Sequence, residues 1–339
     1  MNLTKIFDKS KIISVEDDQI NIVKKGRSDA ITAIIKKKNG KMFLKALECN
    51  IINHTRRINK IKTMCDIYHN VNVSSMKVIE ASIINKKSHY ILYDFIEGRN
   101  LAGLFPKLSN QELFNIGVKV GKTEKRLENH HVTIDLDDFG KVHENMITDA
   151  TKWSKKFYEL YFSNEMHYRK IFEKMPRTIQ MSDIKTLELM MFNLSIFFDK
   201  KDLEVIHGDL NFGNIMLNEN YDVTLIDLDL SSYSYFVMSH KFIRRAIYFQ
   251  DPIKQEKYRY FYSGLIHGRY DEIPPELNRQ ILYIIVRSFF WGLTKYRKKK
   301  NDEELIKHVA DFFEMFDSIN IFKEELSTDL LSRITKKIY

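Results

Sequence analysis

Along the first hundred residues, short runs of apolar and β-branched side chains alternate with polar ones and are separated by turn residues. This pattern predicts β-strands over residues 19–25, 30–37, 41–47, 77–84 and 90–95. The pair Asn39-Gly40 predicts a tight hairpin between the second and third strands, because both residues tolerate the positive φ angles of a type I′ turn. Apolar residues recur at helical spacing over residues 54–69. The pattern therefore indicates a small sheet with one helix inserted after its third strand.

After Gly98 the pattern changes to long segments with helical periodicity. Helices are predicted over residues 110–128, 150–173 and 181–198, and they dominate again from residue 235 onward. Three short apolar runs between them predict strands, at residues 204–206, 214–217 and 223–227. The predicted fold is α+β with two lobes, a β-rich lobe over residues 1–98 and a mostly helical lobe over residues 99–339. A cleft between lobes is the usual place for a nucleotide.

The composition fits a globular protein without a membrane span. Of the 339 residues, 44% are hydrophobic and 29% are charged. The most apolar window, residues 281–293, is too short to cross a bilayer and contains Arg287, so it predicts a buried helix. The first ten residues lack the apolar stretch of a secretory signal, and two cysteines are too few for a disulfide framework. We therefore expect a cytoplasmic protein.

The net charge of +9 is compatible with an anionic partner such as a nucleotide, whose phosphates are anionic, but charge alone does not decide between partners. Two basic clusters, at residues 36–38 and 297–300, could instead contact nucleic acid. The first lies at a predicted hairpin turn and the second follows a predicted helix, which favours solvated surface. No recognised nucleic-acid-binding motif accompanies them, so we expect no nucleic-acid partner.

The segment from residue 205 to residue 229 carries the candidate chemistry. It reads V-I-H-G-D-L-N-F-G-N-I-M-L-N-E-N-Y-D-V-T-L-I-D-L-D and contains Asp209, Asn214 and Asp227. An aspartate, an asparagine five positions later and an aspartate that ends a buried strand form the pattern that phosphoryl transfer from a nucleotide requires. Asp209 is the candidate for orienting the acceptor hydroxyl and accepting its proton. The side-chain oxygens of Asn214 and Asp227 suit Mg²⁺.

Five further residues are candidates for supporting roles. Asp229 is expected to add a second metal ligand or a contact behind the metal, and His207 to brace the catalytic loop. Lys45, on the third predicted strand, can reach nucleotide phosphates. The turn between the first two strands contains Gly26 and Ser28, whose backbone amides and hydroxyl could also contact phosphate. A plain turn explains that segment nearly as well.

At these residues the sequence resembles the aminoglycoside phosphotransferase and choline kinase superfamily, which has a protein-kinase-like fold. H-G-D-L-N-F-G-N and L-I-D-L-D are similar to its catalytic loop and magnesium motif, and Y-D-F-I-E-G is similar to its lobe-connecting hinge. The resemblance implies ATP or GTP as a cofactor, with the base bound by backbone groups of Asp94 and Ile96 and the phosphates bound by Lys45. The L-I-D-L-D and Y-D-F-I-E-G-R segments also resemble the spore-coat-associated branch of this superfamily.

One departure from the family pattern concerns Lys45. Such folds usually pair this lysine with a glutamate on the following helix, but residues 54–64 contain no acid. Either Asp66 or Glu48 supplies the pair, or Lys45 is held in another way.

The leading hypothesis is a small-molecule kinase that moves the γ-phosphoryl group of ATP or GTP to a hydroxyl, with Mg²⁺ neutralising charge. The acceptor stays open between amino sugar antibiotics or choline-like amines and a neutral or anionic sugar. The alternative is a nucleotide-binding or spore-coat structural homologue with little or no catalysis, which the missing helix glutamate and the single glycine of the 26–29 turn favour. A protein kinase is disfavoured, because Gly208 stands where protein kinases have arginine. The sequence does not indicate an oligomeric state.

Overall fold

The structure is a computed structural model, and the chain divides into two compact units. Unit 1 comprises residues 1–104 and 212–232, and unit 2 comprises residues 105–211 and 233–339. The residues that the structure describes are 6, 9–13, 19–23, 30–48, 54–86, 88–128, 155, 181–195, 198, 200–240, 243–247, 251–299 and 302–318. The predicted helix over residues 150–173 and the turn with Gly26 and Ser28 lie outside the described residues. A lobe boundary at residue 98 stays a prediction.

The regular elements follow the predicted order. The strands are β1 (Gln19–Val23), β2 (Ile31–Lys37), β3 (Gly40–Glu48), β4 (Val78–Asn85), β5 (Ser88–Asp94), β6 (Arg99–Asn100), β7 (Leu203–Ile206), β8 (Ile215–Leu217), β9 (Val223–Leu225) and β10 (Ser232–Tyr235). The helices are α1 (His54–Asn70), α2 (Leu101–Leu104), α3 (Asn110–Glu128), α4 (Met181–Ser195), α5 (Arg244–Ile247), α6 (Pro252–Arg269), α7 (Pro275–Lys299) and α8 (Asp302–Ser318).

The main sheet of unit 1 is antiparallel, with strand order β1-β2-β3-β5-β4, and α1 follows β3 as predicted. In β3, the alternate residues Met42, Leu44 and Ala46 belong to the buried core of the sheet. Because successive side chains of a strand point to opposite faces, Lys45 lies on the other face from this core. The sheet thereby separates its apolar core from the predicted phosphate-binding lysine.

The hairpin between β2 and β3 is confirmed, but its turn lies one residue earlier than predicted. Lys37 pairs with Gly40, so the two-residue loop consists of Lys38 and Asn39. Gly40 has a φ of 142°, whereas Asn39 does not adopt the positive φ that a type I′ turn requires. The residue with positive φ therefore falls at the start of β3 and not within the loop.

A second sheet of unit 1, with strand order β6-β8-β9, carries the end of the candidate motif. Ile215 pairs with Leu225 and Leu217 with Val223 in an antiparallel hairpin. Leu225 also forms a parallel bridge with Ser75, and its N–H donates to the Ser74 carbonyl oxygen over 3.0 Å. These bonds fix the hairpin to the segment that precedes β4.

In unit 2, α3 and α6 approach each other through glycines. A Cβ at Gly117 or Gly121 would lie 2.1 Å from a backbone carbonyl oxygen of α6. A Cβ at Gly264 would lie 2.0 Å, and one at Gly268 2.2 Å, from a backbone carbonyl oxygen of α3. Only glycine leaves room for such an approach. A Gly-x-x-x-Gly pair on each helix therefore sets the spacing of this helix pair.

The predicted buried helix over residues 281–293 lies within α7, where every residue from 281 to 286 is buried. Elsewhere in unit 2, β7 pairs with β10, and the buried Arg269 side chain donates from Nη2 to both carboxylate oxygens of Glu204 at 2.6 Å. None of the helices in the described part of the chain is long and apolar enough to cross a bilayer.

Candidate active site

The β8–β9 hairpin brings the two predicted magnesium ligands to the same end of one ladder. Asn214 directly precedes β8, and Asp227 follows β9 by two residues. The backbone N–H of Ile226 donates to the carbonyl oxygen of Asn214 over 3.0 Å, which continues the ladder by one step. In this register Asn214 faces Ile226, with Cα atoms expected about 4.5–5.5 Å apart, and Asp227 is the next residue along the chain, so both predicted ligands lie at the same end of the hairpin.

The backbone of Asp227 adopts the left-handed conformation, with φ 63° and ψ 56°. Non-glycine residues rarely do so, and the surrounding structure must hold them there. Here the Asp227 N–H donates to Met76 Sδ over 3.5 Å, and a 3₁₀ turn over Leu228–Leu230 follows. The Asp227 side chain is 44% exposed, so its carboxylate can contact a ligand as well as protein groups.

Lys45 forms ion pairs with both aspartates of the L-I-D-L-D motif. Its Nζ lies 2.7 Å from Asp227 Oδ1 and 2.9 Å from Asp229 Oδ2. Burial alone would lower the pKa of this ammonium, but the neighbouring carboxylates outweigh burial and raise it, so Lys45 stays charged. The described partners of Lys45 are thus Asp227 and Asp229, which matches the third alternative left open by the sequence; Asp66 is exposed on α1, and the Glu48 side chain lies outside the described residues.

Asp229 is enclosed by protein donors. Its Oδ2 accepts from Lys45 and, at 3.0 Å, from Nη2 of Arg57, and the Tyr93 hydroxyl lies 3.5 Å from its Oδ1. Only 7% of the Asp229 side chain is exposed. Burial raises the pKa of this carboxyl, but Lys45 and Arg57 outweigh burial and lower it.

Arg57 was not singled out by the sequence analysis. It lies on α1, in the stretch where the family pattern calls for a glutamate. The sequence did contain a signal for it, because an arginine stands in the stretch where the family pattern has an acid, and this arginine requires a partner of its own. The partner itself could not be identified from the sequence, since Asp229 is 172 residues away along the chain.

The predicted hinge, residues 93–98, begins with the last two residues of β5 and approaches β8 at its end. The Asp94 N–H donates to the Lys77 carbonyl oxygen over 3.0 Å, so the expected base contacts would use other backbone groups of Asp94 and Ile96. At the end of the hinge, Gly98 has a φ of 138°, and a Cβ there would lie 2.5 Å from the Leu217 carbonyl oxygen. The hinge backbone therefore lies directly on the strand that follows Asn214.

In unit 2, the loop after β7 carries Asp209 and His207. The His207 ring is fully buried, and its Nδ1 accepts from the Asp209 N–H over 3.4 Å. Gly208, with a φ of 75°, donates its N–H to Ser239 Oγ over 3.1 Å. The side-chain amide of Asn211 donates to the Asp209 carbonyl oxygen over 3.0 Å, with Asp209 Oδ2 at 3.4 Å. A buried histidine and a glycine with positive φ thus shape the loop, while Asp209 itself is half-buried.

The donor chemistry of the hairpin end fits a hard cation. Asn214 and Asp227 offer oxygen atoms, which Mg²⁺ prefers. Within the described ranges, no group of three or more histidine, cysteine, aspartate or glutamate side chains could hold a metal ion by itself. In nucleotide sites Mg²⁺ is commonly bound by one or two protein oxygens together with substrate phosphates.

Comparison with known proteins gives one family match and many similar folds. The model of the phosphotransferase enzyme family matches residues 54–238. Comparison of the sequence with curated proteins gives no match.

Three solved structures illustrate the structural likeness. Spectinomycin phosphotransferase APH(9)-Ia with ADP and spectinomycin has a TM-score of 0.55 at 12% identity, over 94% of this chain and 92% of that chain. The GDP and kanamycin complex of APH(2")-IIia has a TM-score of 0.62 at 12% identity, over 94% and 99%. Macrolide 2'-phosphotransferase MphH from Brachybacterium faecium has a TM-score of 0.51 at 8% identity, over 87% and 91%. These likenesses confirm the predicted α+β, protein-kinase-like fold.

Proposed function

Because the chain belongs to the phosphotransferase enzyme family, we propose that it transfers the γ-phosphoryl group of ATP or GTP to a hydroxyl of a small molecule. The observation that carries the proposal is the joint position of Lys45, Asp227 and Asn214 in unit 1. Lys45 Nζ lies 2.7 Å from Asp227 Oδ1, and Asp227 and Asn214 lie at the same end of the β8–β9 hairpin. This combination of one cation and two oxygen donors suits a nucleotide's phosphates with their metal ion.

In this proposal each residue has one task. Lys45 binds the phosphates, and the backbones of Asp94 and Ile96 contact the base. Asp209 orients the acceptor hydroxyl and accepts its proton, with His207 bracing the loop. Asn214 and Asp227 would hold Mg²⁺, which when bound neutralises charge on the transferring phosphoryl group. Gly26 and Ser28 are candidates for covering the phosphates.

The acceptor class is proposed from the structural neighbours and from charge. Spectinomycin and kanamycin are the ligands in two neighbouring complexes, and a macrolide is the substrate class of a third neighbour. Amino sugars and related antibiotics are therefore the first acceptors to test. Choline-like amines follow as a second cationic class, and neutral or anionic sugars are included because the net charge of +9 does not favour a cationic acceptor. Placement in the spore-coat-associated branch stays a prediction.

The test is an acceptor screen with ATP or GTP labelled in the γ-phosphate, run on wild-type protein and on Asp209→Asn. Loss of the proton acceptor is expected to reduce transfer by about 10²- to 10⁴-fold while nucleotide binding stays within a few-fold. Asp66→Asn, which makes the same chemical change at an exposed position of α1, is the matched control and should transfer normally.

The possible outcomes separate the two candidate functions. Full transfer by Asp209→Asn would contradict the role of Asp209. Nucleotide binding without transfer to any acceptor would favour the alternative, a nucleotide-binding homologue with little catalysis. Failure of the wild-type protein to bind either nucleotide would refute both.

A further inference from the structure

We propose that Asp229 orients Lys45 toward the phosphates of a bound nucleotide, and that Arg57 holds Asp229 in position. The inference rests on the proposed function and assigns positioning roles to both residues. It addresses the lack of an acid over residues 54–64 of α1, where the family pattern has a glutamate; the first turn of the helix contains no acid. In a kinase-type site the phosphate-binding lysine must be held by an acid that does not itself bind the nucleotide.

The two aspartates of the motif differ in their surroundings. Asp227 is 44% exposed and pairs with Lys45 through one oxygen, so it can also contact a ligand. Asp229 is 7% exposed, and both of its oxygens face protein donors, from Lys45, Arg57 and Tyr93. Asp227 therefore suits the metal ion, and Asp229 suits Lys45. The sequence analysis expected Asp229 to be either a second metal ligand or a contact behind the metal, and its enclosure by protein donors favours the contact behind the metal.

A single turn carries both carboxylates. Asp227 precedes the 3₁₀ turn Leu228–Leu230, and Asp229 is its middle residue. The turn is closed by a bond from the Ser231 N–H to the Leu228 carbonyl oxygen over 2.9 Å, and the Leu228 side chain is buried. The residue proposed for the metal and the residue proposed to orient the lysine are therefore fixed by the same short segment.

Arg57 connects this turn to α1. Its Nη2 contacts the same oxygen, Asp229 Oδ2, as Lys45 Nζ, at 3.0 Å and 2.9 Å. A carboxylate that receives two charge-assisted hydrogen bonds is held more firmly than one that receives a single bond. The α1 cation thus acts on Lys45 through Asp229, and not on the nucleotide directly.

The experiment compares the affinities of ATP, with Mg²⁺, and of adenosine in the full-length protein. Adenosine has the base contacts of ATP but no phosphates for Lys45 to bind. Asp229→Asn is expected to weaken ATP binding by about 10- to 100-fold, the range for loss of a charge-assisted hydrogen bond, and to leave adenosine binding unchanged. Lys62→Met, at an exposed cation of the same helix, is the matched control and should change neither affinity.

Arg57 is tested by a double-mutant cycle. Arg57→Met should weaken ATP binding less than Asp229→Asn does, and Arg57→Lys should restore most of the loss. Because Arg57 acts through Asp229, the variant with both Arg57→Met and Asp229→Asn should bind ATP no worse than Asp229→Asn alone. Independent losses that add up in the double variant would overturn the role of Arg57.

Two results would overturn the role of Asp229. The first is unchanged ATP affinity in Asp229→Asn. The second is equal weakening of ATP and adenosine, which would mark a general loss of structure. Wild-type protein that binds ATP but phosphorylates no acceptor would count against the proposed function alone, because the affinity comparison does not depend on turnover. Wild-type protein that does not bind ATP would overturn both.

Discussion

Replacing Gly98 by alanine is expected to destabilise unit 1 and to weaken nucleotide binding. Gly98 has a φ of 138°, where a side chain costs about 1–3 kcal/mol of backbone strain. The new Cβ would also lie 2.5 Å from the Leu217 carbonyl oxygen, well inside ordinary van der Waals contact. Relieving this contact requires a shift of roughly 1 Å in the hinge or in β8, and such overpacking costs about 1–3 kcal/mol. The expected loss is therefore about 2–6 kcal/mol.

Gly40→Ala separates the two contributions. Gly40 has almost the same φ, 142°, is exposed like Gly98, and offers open space to a Cβ, which would meet no neighbouring atom within 4 Å. Its replacement carries the backbone strain without the steric contact. The difference between the two variants in free energy of unfolding should therefore be about 1–3 kcal/mol, which is the cost of the contact with Leu217.

The assay is urea unfolding of the two variants and the wild-type protein, followed by circular dichroism, together with ATP titrations. Since β8 begins directly after Asn214, a shift of about 1 Å in β8 should also reduce turnover, by up to about 100-fold. Gly40→Ala should leave ATP affinity unchanged. Equal destabilisation by both variants would refute the steric reasoning. Normal ATP binding by a destabilised Gly98→Ala would refute the link from the hinge to the β8–β9 hairpin.

Two further predictions concern stability. Gly264→Ala should lower the free energy of unfolding by about 1–3 kcal/mol, because the Cβ would lie 2.0 Å from a carbonyl oxygen of α3, and this outweighs the better helix propensity of alanine, about 1 kcal/mol. Gly103→Ala is the control, since its Cβ would meet only a side-chain oxygen at 3.2 Å. Equal melting temperatures of the two variants in thermal unfolding would contradict the close-packing argument. Burial lowers the pKa of His89 from 6.5 to about 4, with smaller contributions from Arg57 and His54. The folded state therefore binds fewer protons than the unfolded state between these two pKa values. The free energy of unfolding should fall by about 2 kcal/mol as the pH drops from 7.5 to 5. His89→Gln should flatten this part of the pH dependence, and parallel profiles for variant and wild type would count against it.

The sequence predicted those parts of the site that depend on local pattern. Lys45 was placed on the third strand because it lies in a short apolar run that follows the Asn39-Gly40 hairpin signal, and the observed register with β2 and β5 agrees. Asn214 and Asp227 were placed at strand ends for the same reason. The Gly-x-x-x-Gly spacing on α3 and α6 was also visible in the sequence, at Gly117 and Gly264 among others, but composition alone did not show that the two helices face each other.

The parts that were not predicted depend on contacts between distant segments. The partners of Lys45 lie 182 residues further along the chain, and no local pattern indicates which of two alternating aspartates is enclosed. That choice follows from the left-handed backbone of Asp227, which starts a 3₁₀ turn in place of a further strand residue. The hairpin turn moved by one residue for a similar reason, because Gly40 pairs with Lys37 and thereby takes its positive φ into β3.

The charges around Lys45 show why an arginine suits the position on α1. Lys45 Nζ and Arg57 Nη2 both contact Asp229 Oδ2, at 2.9 Å and 3.0 Å, so they lie within about 6 Å of each other. At an effective dielectric constant of about 20, Asp229 attracts Lys45 by about 6 kcal/mol and Arg57 repels it by at least about 3 kcal/mol. Arg57 therefore offsets about half of the attraction between Asp229 and Lys45, although it also holds Asp229 in place. The ion pair with Asp227 at 2.7 Å adds an attraction of its own, so Lys45 is held by two carboxylates, and Arg57 weakens only the contribution of Asp229, the one that is enclosed by protein.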